Sequence, residues 1–427
     1  MGEHSVTFLP DGAVKGSRID YGRLVERERV HGSLYTSDQV FRDEMERIFY
    51  GGWVFVGHDS EIPRHGDYLT RDVGLEPVLM LRNRAGEVRV FSNRCMHRGN
   101  KLCSQERGSA RALTCAYHGW TFSLDGDLVA VPYPGGFVGD KAHLALRKPA
   151  RTEVYQGFVF ATFNSNSPPL EQHLGRGKAL IDRAVGMSPT GRLRLDGGWI
   201  KQCYAANWKM LPENDTDGYH ANYVHASFLR VFHSQYDAIN NREEDRLSRV
   251  VDWGDGHIAI DAAPMYKEPF EWLGTTADKV QEYAAQMVAA RGEAAANKIL
   301  VDGPPHAVIF PNLFLGEMNI VMFQPLSAGE SVQWHTPMLL DGAPDSLNSR
   351  LIRQSEAAMG PSAFLLADDQ VIAERQQLVL KGRSEWLQIS RGLRREKISA
   401  DGVISSHISD ETSNRGFWSH YRKVMQQ

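Results

Sequence analysis

Four cysteines in 427 residues are too few for a disulfide framework. No apolar run approaches the roughly 20 residues that span a bilayer. The formal net charge is −4, with both signs mixed along the chain, so neither a basic nucleic-acid face nor a polybasic membrane patch organises the sequence. Met1 to Asp20 has no apolar signal core, and Val6 stands where the myristoylation pattern needs Ser or Thr. Internal repeats and low-complexity tracts are absent. These gaps lead us to expect a cytoplasmic protein with no membrane or nucleic-acid partner. The length exceeds what one compact core usually holds, which predicts two domains.

The few cysteines are distributed with purpose. Cys95-Met-His97 is followed, after seventeen residues, by Cys115-Ala-Tyr-His118. Four Cys at such spacing would suggest zinc or an ordinary ferredoxin cluster. Two Cys and two His in this order suggest a Rieske [2Fe–2S] centre, with zinc as the plainer alternative. Imidazole donates less charge than thiolate, so such a cluster is easier to reduce, with potentials of about −150 to +300 mV. Gly99 and Gly119 follow the two ligand pairs and permit tight backbone there. Tyr117 occupies the inner position where respiratory-type loops carry an extra Cys, so no bridge between the loops is available. Cys103 and Cys203 read as small buried residues.

Along the chain, Gln39 to Tyr50 has apolar residues at helical spacing. From Trp53 to Phe163 short alternating runs are punctuated by Gly, Pro, Asn and Asp, as in a small antiparallel β domain. Asn164 to Pro169 marks a boundary. Beyond it, Trp272–Leu300 and Ser355–Leu380 read as long helices, and His306–Pro325 as strand able to pair with Ser331–Leu340. The expected fold is α+β: a small antiparallel β Rieske domain and a larger catalytic domain with an antiparallel sheet covered by helices. The expected boundaries are an N-terminal arm 1–38 packing on the catalytic domain, a cluster domain 39–163 and a catalytic domain 164–427. Gly254-Asp-Gly256-His-Ile-Ala259 formally matches a dinucleotide loop, but no helical pattern follows, and it reads as a turn. Electrons must therefore arrive from another protein.

A second constellation lies at Glu213-Asn-Asp-Thr-Asp-Gly-Tyr-His220 and His225. Five residues on an ideal helix rotate the side chain by about 140°, so both imidazoles reach one ion only at a loosened turn or a helix end. Two His and one carboxylate on one face of Fe(II) leave positions open for O₂ and substrate. The carboxylate must come from elsewhere. Asp369 would sit on a helix among Leu365, Leu366, Ile372 and Ala373, and an acid on an apolar face is costly without a partner. Asp368 has nearly the same surroundings, and periodicity does not choose between them.

With both constellations in view, the chain resembles the large (alpha) subunit of aromatic-ring-hydroxylating Rieske non-haem iron oxygenases, from about Tyr35 onward. The stretch Glu411 to Met425 resembles members acting on aromatic acids. The resemblance implies cluster ligands Cys95, His97, Cys115 and His118, and iron ligands His220, His225 and Asp369. It implies Asp217, with Asn214, in the catalytic machinery, and Asp217 as the link between iron and cluster. By proximity or family position, Ala221, Val224, Phe228, Phe310, Leu313 and Phe364 are pocket candidates; Arg230 is a conceivable anchor for a carboxylate. The implied enzyme uses O₂ and electrons from NAD(P)H, delivered by a reductase and perhaps a ferredoxin, to hydroxylate or cis-dihydroxylate an aromatic compound, an aromatic acid first of all. It would be a homotrimer, with or without a small β subunit (α3β3). The alternatives are a Rieske monooxygenase or demethylase and, from another class, a pure Rieske electron carrier.

Overall fold

The computed structural model describes residues 19–136, 142–227, 247–360, 363, 365–383 and 385–427. Two compact units result: residues 49–170, and a second made of residues up to 48 together with 171–427. The divisions differ from the expected 38/39 and 163/164, and side chains explain why. The helix Asp38–Glu44 continues through a π-helical turn, Met45–Phe49. Its Glu44 is buried and accepts hydrogen bonds from Trp208 Nε1 (2.9 Å), Lys209 Nζ (2.6 Å) and Tyr421 OH (2.6 Å), which ties the helix to the larger unit. The arm before it belongs there too: strand Arg29–His31 pairs with Trp386–Gln388. At the other boundary, Trp53 Nε1 donates to Pro168 O (2.8 Å), holding the Asn164–Pro169 loop in the smaller unit.

The smaller unit is antiparallel throughout. One sheet has the order Val88–Ser92, Glu76–Arg82, Asp67–Val73, Arg107–Ser109. A second joins Arg151–Tyr155, Phe158–Thr162 and Val54–His58. A third, Leu113–Thr114, Thr121–Phe122 and Leu128–Ala130, carries the second Cys/His loop. The side chains of Leu79, Leu81, Phe91, Trp120 and Phe122 form a core that includes Cys95 and Cys115.

The larger unit is built on a nine-stranded antiparallel sheet. Its order is Ile200–Tyr204, Glu330–Pro337, Asn319–Ser327, Leu313–Leu315, His306–Ile309, His257–Asp261, Arg249–Gly254, Ile404–His407, Lys397–Ile398. Residues 254–259 are the turn and flank of a hairpin, with Asp255 (φ 50°) and Gly256 (φ 78°) in left-handed backbone. Helix Thr412–Met425 packs on the two strands of that hairpin. The two long helices expected from composition are each broken. Gly292, at φ 77°, separates Gln281–Arg291 from Glu293–Asp302, and Asp345–Met359 stops at Gly360 before Leu366–Leu380 begins. Helical composition runs through both breaks, so periodicity missed them. No described helix is long and apolar enough to cross a membrane. Cys103 is buried as expected, but Cys203 is exposed, because it alternates outward on the edge strand Ile200–Tyr204.

Candidate metal centres and active site

The two cluster loops are near copies. Cys95 N–H donates to Asn100 O (2.8 Å) and Gly99 N–H to Cys95 O (3.0 Å); Cys115 N–H donates to Trp120 O (2.8 Å) and Gly119 N–H to Cys115 O (2.9 Å). Each loop turns back through its glycine, at φ 72° and 71°, a backbone that costs other residues about 1–2 kcal/mol. The turns bring His97 and His118 together, ring centroids 4.5 Å apart, and His97 stacks on Trp120 at 4.8 Å. His97 Nδ1 is buried without a hydrogen-bond partner among the described residues. Burial raises the Cys115 thiol, but the N–H groups of Tyr117 and His118, with Cys95 and Asn100, outweigh it and leave the thiol below its usual value. A thiol eased toward thiolate and an orphaned imidazole nitrogen suit a metal cluster.

The second centre stands on a single helical turn. Ala221–Val224 is four residues long, with His220 capping its start and His225 its end. Because the turn stops there, the two imidazoles do not diverge as they would on a continuing helix. His220 Nε2 lies 3.2 Å from His225 Nε2. Asp369 Oδ1, from the first turn of helix Leu366–Leu380, is 3.6 Å from the first and 3.2 Å from the second. Ligand atoms about 2.1 Å from one ion, at right angles, stand about 3 Å apart, so the triangle suits one small cation. Asp369 Oδ1 is buried with no hydrogen-bond donor among the described residues, which also favours a cation.

Behind each imidazole stands another acid. Asp217 Oδ2 is 3.4 Å from His220 Nδ1, and Asp368 Oδ2 is 3.8 Å from His225 Nδ1. The Asp-Asp pair is thus divided: Asp369 faces the triangle and Asp368 the far side of His225. Burial lowers His220, but Asp217, Asp369 and Asp215 more than offset it and leave its pKa raised. The preceding loop is pinned. Glu213 accepts from Tyr35 OH (2.9 Å) and from Trp418 Nε1, and Ser413 Oγ donates to Thr216 O (2.9 Å).

A cavity of about 370 Å³ opens on His220, His225 and Asp369. Asn214, Asp217 and Ala221 line it. Val224, Phe310 and Leu313 do not. Val224 ends the turn on another side. Phe310 packs against Phe417 and His420. Leu313 points to the opposite face of its strand, and its neighbour Phe314 reaches the cavity instead. Phe228, Arg230 and Phe364 lie outside the described residues.

Residues that spacing did not bring forward complete the wall: Asp215, Ile260, Tyr266, Trp272, His306 and Glu317. His306 Nδ1 pairs with Glu317 Oε2 at 3.0 Å and Nε2 with Asp215 O at 2.6 Å. Both partners are acceptors, so both ring nitrogens carry protons. Burial disfavours that cation, yet the Glu317 charge and hydrogen bond lift His306 to about 9. Burial and the charge of Asp369 push the Asp215 carboxyl up to about 7. The available signal was a His opening an apolar strand and an acid just past the following strand, but residues eleven apart announce no contact.

Residues 52–147 match the Rieske [2Fe-2S] domain, and residues 187–427 match the ring hydroxylating alpha subunit (catalytic domain). The chain is 32% identical over 381 residues to the 2-halobenzoate 1,2-dioxygenase large subunit of Burkholderia cepacia, covering 85% of this chain and 80% of the relative. It is 29% identical over 428 residues to the large oxygenase component of the naphthalene 1,2-dioxygenase system of Pseudomonas putida, covering 93% and 91%. A solved naphthalene 1,2-dioxygenase superposes with a TM-score of 0.83 at 26% identity, over 96% of this chain and 95% of that one.

Proposed function

Because the chain belongs to the ring-hydroxylating alpha subunits, terminal oxygenases of multicomponent systems that take electrons from a reductase or ferredoxin, we propose residue roles, an assembly and a substrate class. Cys95, His97, Cys115 and His118 hold a [2Fe–2S] cluster, and His220, His225 and Asp369 hold a mononuclear ferrous ion. When bound, the cluster supplies single electrons, and the ferrous ion, with open positions, supplies dioxygen activation. The observation that carries this reading is the triangle of Nε2, Nε2 and Oδ1 opening on a largely apolar cavity.

Asp217 orients His220 by accepting from its Nδ1–H, as acids behind metal-bound imidazoles do. In a homotrimer, with or without a small β subunit, we assign its remaining lone pairs to the partner subunit's His118. Asn214 lines the cavity beside the reacting ring. The apolar walls of the cavity orient the ring against the triangle. Ring, O₂, two electrons and two protons together balance as a cis-dihydrodiol. The substrate is an aromatic compound; an aromatic acid is the first to screen, supported by the name of the Burkholderia relative.

The test is metal content followed by turnover. Purified chain should carry about three irons, two in the cluster and one mononuclear. With a surrogate reductase and ¹⁸O₂, label should appear in an aromatic product. Two irons per chain and no substrate-dependent O₂ uptake would leave only an electron carrier.

A further inference from the structure

We propose that Glu317 is a specificity-determining residue, selecting aromatic rings that bear an N–H or O–H donor over their methyl isosteres. The inference rests on the oxygenase reading only for the ligand being an aromatic ring.

His306 opens strand His306–Ile309, and Glu317 lies between strands Leu313–Leu315 and Asn319–Ser327. Both side chains line the same cavity, and His306 Nδ1 meets Glu317 Oε2 there at 3.0 Å. His306 donates from Nδ1 to Glu317 Oε2 and from Nε2 to Asp215 O, so it has no N–H left for a ligand. Glu317 is hydrogen-bonded to no other side chain among the described residues, and a carboxylate has roughly four acceptor sites. About a third of its side chain remains accessible (32%). Asp215 adds a second acceptor in the same wall: its Oδ2 is buried with no partner among the described residues. The described wall contains no Arg or Lys.

This wall therefore offers acceptors and no free cation. The rest of the described lining includes Ile260, Tyr266, Trp272, Phe314, Met359 and Leu365, a slot suited to a flat ring. An arylamine or phenol in that slot donates to Glu317, a charge-assisted bond. A methyl group in the same position desolvates the acceptor positions that His306 leaves open on the carboxylate and gives them no donor, and sites built to bond an OH or NH reject analogues lacking it. A carboxylate on the same ring must point away from this wall, where acceptors would repel it.

The test titrates iron- and cluster-loaded enzyme calorimetrically with isosteric pairs. Aniline and phenol are compared with toluene, and each aminobenzoate isomer with the matching methylbenzoate. The donor member should bind about ten- to a hundredfold tighter, the range of a hydrogen bond to a charged group. In the benzoate series this should hold for at least one ring position, which locates the carboxylate. Aniline against phenol separates nitrogen from oxygen donors. Glu317→Leu should bring the ratio to about one or invert it, and Glu317→Gln should keep part of it. A wild-type ratio near one, no binding by any probe, or an unchanged ratio in both variants with cluster absorption and iron content intact would overturn the assignment. Binding is read without reductase or O₂. A chain that prefers donor rings but oxygenates none would refute the oxygenase reading and leave this one standing.

Discussion

The cluster loops and the iron triangle differ in how far along the chain each must reach for its ligands. The proposed cluster ligands lie within one short stretch, on two copies of one turn closed by their own backbone hydrogen bonds. The triangle takes two imidazoles from one helical turn and its carboxylate from a helix far down the chain. A locally closed site depends on its loop and the small core beneath it. A dispersed site depends on the whole sheet that holds its parts in register, and it should fail first when packing is disturbed.

The largest expected effect falls on the dispersed site. Asp369→Ala should remove mononuclear iron and abolish turnover while leaving the cluster spectrum unchanged, because a facial triad has only three protein ligands. Asp368→Ala, behind His225, should weaken iron binding about ten- to a hundredfold, as losing an acid behind a ligand does. Iron analysis beside visible and EPR spectra separates the two; the reverse order would exchange their roles. Next comes Asp217→Asn. Both metals should stay bound and the reductase should still reduce the cluster. Cluster reoxidation by O₂ with substrate should slow, by about ten- to a hundredfold. Single-turnover stopped flow reads this directly, and a wild-type rate in an iron-replete variant would discard the link.

On the local site, His97→Cys or His118→Cys should retain an iron–sulfur centre, if it assembles, and lower its potential by on the order of a few hundred millivolts. Iron in the triangle should be untouched. Potentiometric titration with EPR detection decides it, and an unchanged spectrum in both variants would remove those ligands. Acid should act on the larger unit. Burial, with neighbouring His257, holds His173 and His420 down to about 3, below the unfolded value near 6.5. The unfolded chain therefore gains protons first, and the contribution of these two histidines to stability falls as pH drops from about 6.5 toward 3. Buried carboxyls held up, such as Asp215 at about 7, work the other way in the same window, so the comparison is between chains: thermal melting between pH 7 and 4 should show a smaller acid loss in His420→Phe than in the parent.

The smallest effect compares the twin turns. Gly119→Ala and Gly99→Ala each place a side chain at positive φ, costing about 1–2 kcal/mol. A Cβ at Gly119 would also stand 3.0 Å from Pro132 Cγ, whereas at Gly99 the nearest atom is 3.6 Å away. Denaturant titration followed by cluster absorbance should find Gly119→Ala the weaker. Equal midpoints would mean that Pro132 yields.

The same contrast explains what could be read in advance. Cys95, His97, Cys115 and His118 are legible because ligand order and spacing are local properties of a chain. The pair His220 and His225 is half legible: the spacing demanded a loosened turn, and the helix does end at His225. Asp369 is separable from Asp368 only by tertiary packing. The pocket suffered most. Leu313 and Phe314 are both apolar, and strand register alone decides which faces the cavity. Glu317 and His306 meet because the chain bends back after strand Leu313–Leu315, which no spacing rule reports. The long-helix readings failed because Gly292 and Gly360 break helices in stretches whose remaining residues favour them.

Glu44 gives the molecule a timetable. The acid is completed by Lys209 and by Tyr421, the latter 377 residues later. At about 5–20 residues per second, synthesis leaves roughly 20 to 75 seconds between Glu44 and Tyr421. The smaller unit is contiguous in the chain and ends at residue 170, so it is fully made within that interval. During synthesis the smaller unit is therefore complete before the acid at position 44 meets its hydroxyl.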